Sequence, residues 1–379
     1  MKKLDSSVMV PMQKALSTAT LALLMVIGAA PSAFAQPAWQ TEWEQVKAKA
    51  KQEGKVVVNL PPSPEHRKQL EAVFRQKFGI EVESVLETGS KAVRRLADEY
   101  KAGVHYFDVA ILTFDRISTD LLPVGAVQPL DPYWILPEVK EPKNWWGGHI
   151  WTDNAKRYAY APAAYFQDNV WYNSELVKPE EVRSWDDFLN PKWKGKIGFF
   201  DPRLGGAGQG IWGFAWAKKG EEYLKKLVQQ KLVFGDRRPL ADSLAKGKLA
   251  ITIGPTYYSF LQFVKAGLPV KPLPSLKEGT YVSVGNGGPV IFNKHPHPNA
   301  AKVFVNWLLS KEGQEISDKT MGQASRRLDV DTRWMTEIGI RGAKDFITVE
   351  QFYEDANQTE DKILKVRRPS LEFARKLLD

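Results

Sequence analysis

Between Lys55 and Leu112 short apolar runs alternate with amphipathic ones, and few folds accept that pattern. Lys55–Leu60 (KVVVNL) is a β-branched strand stopped by Pro61-Pro62. Ser63-Pro64-Glu65 then supplies a helix start: a hydroxyl cap, a proline whose missing N–H costs nothing there, and an acid in the first turn. Leu70, Val73, Phe74 and Phe78 follow at helical spacing until Gly79, and residues 80–86 (IEVESVL) alternate as a second strand. A second helix carries Val93, Leu96, Ala97 and Tyr100, and residues 107–112 (FDVAIL) form a third, almost wholly apolar strand. Strand, helix, strand, helix, strand at this spacing predicts a parallel sheet covered on both faces.

From 123 to 151 the chain is irregular and rich in proline and tryptophan, after which α/β patterning resumes. Strands are expected at 169–173 (NVWYN), 197–200 (IGFF) and 249–253 (LAITI), with a helix opening after 201–210 (DPRLGGAGQG). Residues 281–293 read as an extended stretch before a helix with Val303, Phe304, Trp307 and Leu308. The expected fold class is α/β, in two lobes. Residues 36–140 would start lobe 1, 141–270 would form lobe 2, 271–330 would return to lobe 1, and 331–379 would be C-terminal helices.

Residues 1–35 read as a secretory signal: Lys2, Lys3 and Lys14 precede or flank an apolar run, and Ala33-Phe34-Ala35 offers a cleavage site. The run is shorter than the roughly 20 residues of a permanent membrane anchor. The chain has no cysteine, which excludes disulfides, thiolate nucleophiles, cysteine zinc sites and a lipid tether. These features predict a periplasmic protein. Its net charge of +9 comes from Lys and Arg spread among acids, a solvated pattern that argues against a nucleic-acid partner.

In open α/β sheets a ligand sits beyond the carboxyl ends of the parallel strands. Ser63, Thr88, Ser90, Thr113, Asp115 and Thr256 occupy such loops. In 201–210, Gly206 and Gly208 allow close backbone approach at a helix N-terminus, and Arg203 is a candidate bidentate partner for an anion. Adjacent Tyr257 and Tyr258 follow a buried strand, where phenols can wall an organic ligand or, as phenolates, bind a hard trivalent metal. His295 and His297 precede prolines and read as a helix start, and His66 lies one turn into a helix, where it can turn away from a cleft. No HExxH or GxSxG occurs, so a zinc hydrolase or a hydrolase elbow is not expected.

Three stretches carry a resemblance: 185–197 (WDDFLNPKWKGKI), 247–258 (GKLAITIGPTYY), and 297–304 (HPNAAKVF) with 309–314 (LSKEGQ). With the export signal and two lobes, the chain resembles the solute-binding proteins of bacterial ABC importers, in the group that includes ferric-iron binders. The resemblance implies a type II periplasmic-binding-protein fold: two lobes, each a mostly parallel sheet flanked by helices, closing on a ligand in the cleft. It implies no catalysis and no cofactor. The implied partners are a small ligand and an inner-membrane permease with its cytoplasmic ATPase, met as a monomer. Tyr257 and Tyr258 fall where the iron-binding members carry two tyrosine ligands, and Tyr165, near the lobe crossover, suits either ligand class. The first loop, Leu60-Pro61-Pro62-Ser63-Pro64, departs from those members by lacking their histidine or tyrosine, and Asp115 stands where some have glutamate. The expected ligand is therefore an organic or phosphorylated anion, with ferric iron as the alternative cargo. Two other readings remain, a periplasmic enzyme on this fold and a ligand-presenting partner of a membrane sensor.

Overall fold

The computed structural model describes residues 37–379 except 88, 89 and 168, so the expected signal segment and Thr88 lie outside the described residues. The strands among these residues are β1 (Lys55–Leu60), β2 (Glu81–Leu86), β3 (Val109–Leu112), β4 (Val127–Gln128), β5 (Tyr165–Gln167) and β6 (Val170–Asn173). They continue with β7 (Ile197–Phe200), β8 (Val233–Gly235), β9 (Ile251–Ile253), β10 (Val270–Pro272), β11 (Gly288–Phe292) and β12 (Ile340–Gly342).

Two five-stranded sheets result, in the orders β2-β1-β3-β11-β4 and β10-β6-β9-β7-β8, with β5 and β12 paired separately. In the first, β1 runs parallel to β2 and β3, and β11 returns antiparallel between β3 and β4. In the second, β7 runs parallel to β8 and β9, while β6 is antiparallel to β9 and β10. Each sheet thus has a three-stranded parallel part whose strand ends feed loops at one edge.

Alternation along β1 explains the layering of the first sheet. Val56, Val58 and Leu60 enter one apolar cluster with Phe74, Phe304 and Trp307, while Val57 enters another with Ala110, Leu112 and Val290. The helix Pro64–Phe78 is capped at Ser63, whose Oγ accepts from His66 N at 3.3 Å, and ends at Gly79 with φ 68°. A left-handed residue there favours glycine. The second sheet divides its faces likewise: Ile197, Phe199 and Ile253 pack with Trp185 and Trp212, and Trp171 and Phe200 pack with Tyr257 and Phe260. His297 stands at the N-cap of the Pro298–Leu309 helix, its Nδ1 2.9 Å from the buried carboxylate of Asp108.

The segment after 355 joins both sheets' cores. Ile363 is buried with Phe114, Ile117 and Leu121 against the first sheet. The helix Arg368–Leu378 packs on Gly206–Val228 of the second, with Phe373 stacked on Trp212 at 6.4 Å and Trp212 Nε1 donating to Ser370 O at 3.0 Å. Residues 331–379 also hold one strand, β12, antiparallel to β5.

His66 is buried, with Nδ1 2.8 Å from Thr320 Oγ1, and burial pushes its pKa from 6.5 down to about 4. The unfolded chain therefore takes up a proton near pH 6.5 that the folded chain refuses until about pH 4. Stability from this residue is intact above pH 6.5 and declines between pH 6.5 and 4, by roughly 3 kcal/mol in full. Urea unfolding at several pH values should show a steeper acid loss for the wild type than for His66→Phe; parallel curves would remove His66 as the cause.

Candidate functional site

Beyond the carboxyl ends of β3, β7 and β9 lies a cavity of about 120 Å³. Its walls come from both sheets: Thr113, Asp115 and Arg116 follow β3, and Gly205, Gly206 and Thr256 follow β7 and β9. The C-terminal segment adds Gln358 and Arg367.

Among the described residues, three guanidiniums, Arg116, Arg237 and Arg367, line this cavity beside one carboxylate, Asp115. Arg116 Nε lies 3.7 Å from Asp115 Oδ2, and Asp115 also accepts from Thr113 Oγ1. A Cβ on Gly205 would collide with Arg116 Nη2, and Gly205 has φ 83°; glycine is required there for the arginine to reach the helix start. Arg237 opens the Arg237–Ala245 helix, its guanidinium 5.7 Å from the Tyr258 ring centroid.

Arg367 is almost wholly enclosed, at 3% exposure. Its Nη2 donates to Asn357 Oδ1 at 3.2 Å, and its Nε has no hydrogen-bond partner among the described residues. Burial pushes its pKa down; Asp115 opposes this and Arg116 adds to it. A buried cation with an unused N–H, next to another cation, is poised for a negatively charged ligand. The start of the Gly206–Val228 helix, at Gly206 and Ala207, also lines the cavity, and a helix N-terminus is a second positive pole.

The rest of the wall sets neutral polar groups beside apolar Ile111, Leu112, Phe200 and Leu204. Tyr165 and Tyr281 are buried, and burial pushes both phenols up, with their mutual proximity adding to the effect on Tyr165. Both remain hydroxyl donors at neutral pH. Gln358 is fixed by three bonds: its Oε1 accepts from Ser283 Oγ at 2.9 Å and Val284 N at 2.8 Å, and its Nε2 donates to Gly285 O at 3.0 Å. Thr256 Oγ1 is buried without a partner among the described residues.

Of the residues singled out from sequence, Thr113, Asp115, Tyr165, Gly206, Thr256 and Tyr258 line the cavity. Ser63, Arg203, Gly208 and Tyr257 are not part of its lining. Ser63 is occupied as a helix cap, and Ser90 is described only as the first residue of the Ser90–Lys101 helix. Arg203 turns away to a bidentate pair with Asp201 (2.9 and 2.7 Å) and to Asp379 Oδ1 at 2.6 Å. Gly208 serves packing, since a Cβ there would sit 2.6 Å from Phe200 O. Tyr257 is buried against Trp171, with Gly322 close to its ring. Sequence reasoning missed Arg116, Arg237, Arg367, Tyr281 and Gln358. Only Arg116 had a local signal, its place beside Asp115.

The model of the bacterial extracellular solute-binding protein family matches residues 63–315. The chain belongs to this family. An uncharacterized protein of Haemophilus influenzae is 31% identical over 156 residues, 38% of this chain, and the chain spans only 42% of that relative's length. Among solved structures, the periplasmic binding protein AfuA of Actinobacillus pleuropneumoniae, with fructose-6-phosphate bound, has TM-score 0.62 at 19% identity, covering 85% of this chain and 99% of AfuA. The ferric binding protein of Campylobacter jejuni has TM-score 0.63 at 16% identity over 85% of this chain and 99% of its own. Iron-bound HitA of Pseudomonas aeruginosa has TM-score 0.62 at 15% identity over 86% and 99%. These likenesses establish the fold: a two-lobed type II periplasmic binding protein, with a five-stranded sheet in each lobe. Members of this family are binding proteins.

Arg367→Met tests the electrostatic account. It removes a desolvated charge from a cationic cluster, so the ligand-free protein should keep its melting temperature within about 1.5 °C, roughly 1 kcal/mol for a chain of this size. The rise in melting temperature produced by saturating inorganic phosphate should vanish. A retained phosphate shift would show that Arg367 does not meet the anion.

Proposed function

We propose that the protein captures a small organic anion in the periplasm, a phosphate monoester in preference to a carboxylate, and delivers it to an ABC import permease. The observation that carries this reading is the charge of the cavity: among the described residues, three guanidiniums and a helix N-terminus against one carboxylate. A phosphate dianion balances that excess and accepts from planar guanidinium forks bidentately. The neutral wall of Tyr165, Tyr281 and Gln358 suits hydroxyl groups on the rest of the solute. The fructose-6-phosphate bound to AfuA, a protein of the same fold, supports this class of ligand.

Capture follows from the placement of the contacts. Arg116 belongs to the first sheet's loops and Arg237 to the second's, so an anion touching both favours the state in which the lobes are together. The permease then reads the closed form. Among the described residues Asp115 is the single carboxylate lining the cavity, and one carboxylate without a second favours binding over acid and base chemistry. The secretory signal read in residues 1–35 supports a location outside the cytoplasm, and among the described residues no helix is long and apolar enough to cross a membrane. It acts as a monomer.

Ferric iron is the second reading, and Tyr258 with Asp115 are the oxygen donors that favour it. Tyr257 points into the second lobe's core, and three guanidiniums oppose a trivalent cation unless an anion accompanies it.

Calorimetric titration with fructose 6-phosphate and glycerol 3-phosphate should give saturable binding. Arg116→Ala and Arg237→Ala should each weaken it at least about tenfold, the size of a charge-assisted hydrogen bond. Arg203→Ala should stay within about twofold, because its partners are Asp201 and Asp379. No binding of either ester, together with a visible tyrosinate band on adding ferric citrate, would replace this reading with iron capture.

A further inference from the structure

A second, smaller cavity of about 40 Å³ adjoins the anion site and shares Ile111, Asn286 and Gln323 with it as a common wall. Its lining is largely apolar, with Pro61, Pro162, Leu308 and Met321 prominent. The polar groups on its far side are mostly committed elsewhere: Gln314 donates to Leu308 O and accepts from Ser325 Oγ, and Ser317 Oγ donates to Gly313 O. His66 is the exception.

The hydrogen-bond network fixes its tautomer. Thr320 Oγ1 donates to Ile316 O at 2.6 Å, so it can only accept from the imidazole at 2.8 Å. Nδ1 therefore carries the proton, and Nε2 keeps its lone pair. Nε2 has no partner among the described residues, although the ring is 2% exposed and lines the cavity. The depressed pKa keeps the ring neutral at physiological pH. The chamber therefore has apolar walls, one unsatisfied acceptor and room for about three water-sized groups.

We infer that this chamber is the subsite for the uncharged end of the transported anion, selecting a short, mainly apolar arm that ends in a hydroxyl or N–H donated to His66 Nε2. The inference rests on the anion reading of the larger cavity. It narrows the ligand to a bipolar molecule: an anionic head among the arginines, and a small arm with a single donor beyond Ile111. An arm that lacks the donor leaves the imidazole unpaired in an apolar space, which is how a buried polar group discriminates between otherwise similar ligands.

The test is calorimetric titration of the purified protein with inorganic phosphate, n-alkyl phosphates and ω-hydroxyalkyl phosphates of two to six carbons. At one chain length the hydroxyalkyl ester should bind about tenfold more tightly than its n-alkyl counterpart, the measure of one buried hydrogen bond. His66→Phe should erase that difference and leave inorganic phosphate within about twofold. Ser317→Met fills the chamber from the Lys311–Met321 helix and should also erase it if His66→Phe does not fold. Hydroxyalkyl and n-alkyl esters binding alike at every length, or a preference surviving in the folded variants, overturns the subsite while the anion site stands. Failure of inorganic phosphate and every ester to bind overturns the anion site and the subsite together.

Discussion

Like charges crowded into one cavity set the terms for the rest of this molecule. Arg116, Arg237 and Arg367 share its wall, and Arg367 is buried at a desolvation penalty to which the neighbouring Arg116 adds repulsion. They are held together because three separate parts of the chain deliver them: the loop after β3, the helix after β8, and the segment crossing from one core to the other. Close approach is secured by missing side chains. Gly205 admits Arg116, and Gly210 admits both Tyr281 and Arg367, since a Cβ there would lie 2.6 Å from the phenol oxygen and 3.0 Å from Nη2. An incoming anion then gains from attraction and also from relieving a repulsion the empty protein sustains.

The scaffold makes this repulsion tolerable. Each sheet has an apolar cluster on both faces, so the loops at its edge are set by packing well away from the charges. The uncharged wall is tied just as firmly through Gln358, which joins the β11 approach to the C-terminal segment by three hydrogen bonds. Rigid positioning of this kind lowers the ordering cost of binding.

The legible part of the sequence was its local part. The runs KVVVNL and IGFF, the Ser63 cap and the glycine after Phe78 are fixed by pleat, period and terminal hydrogen bonds, all of which act over a few residues. The rule that ligands sit beyond parallel strand ends located Thr113, Asp115, Gly206 and Thr256 without any long-range information. Tyr257 and Tyr258 parted company because helix phase, invisible in a pair of adjacent residues, sends one ring to the core and the other to the cavity. Arg203 sat in a promising loop, but its guanidinium is captured by Asp201 two residues earlier. Arg367, in a tail that reads as charged amphipathic helix, gave no local sign of its role. Its burial depends on contacts with Asn357 and with Gly210, more than 150 residues away in sequence.

The same crossing segment has a consequence for biogenesis. Gln358 and Arg367 follow all other described residues of the lining in sequence, so a chain emerging in order from N-terminus to C-terminus assembles the rest of the cavity before they exist. Until that segment docks, the half-made cavity lacks its buried cation and the brace on its polar wall. Competence to hold cargo is thus acquired after the rest of the cavity has formed, and a receptor without this segment has little means of sequestering solute.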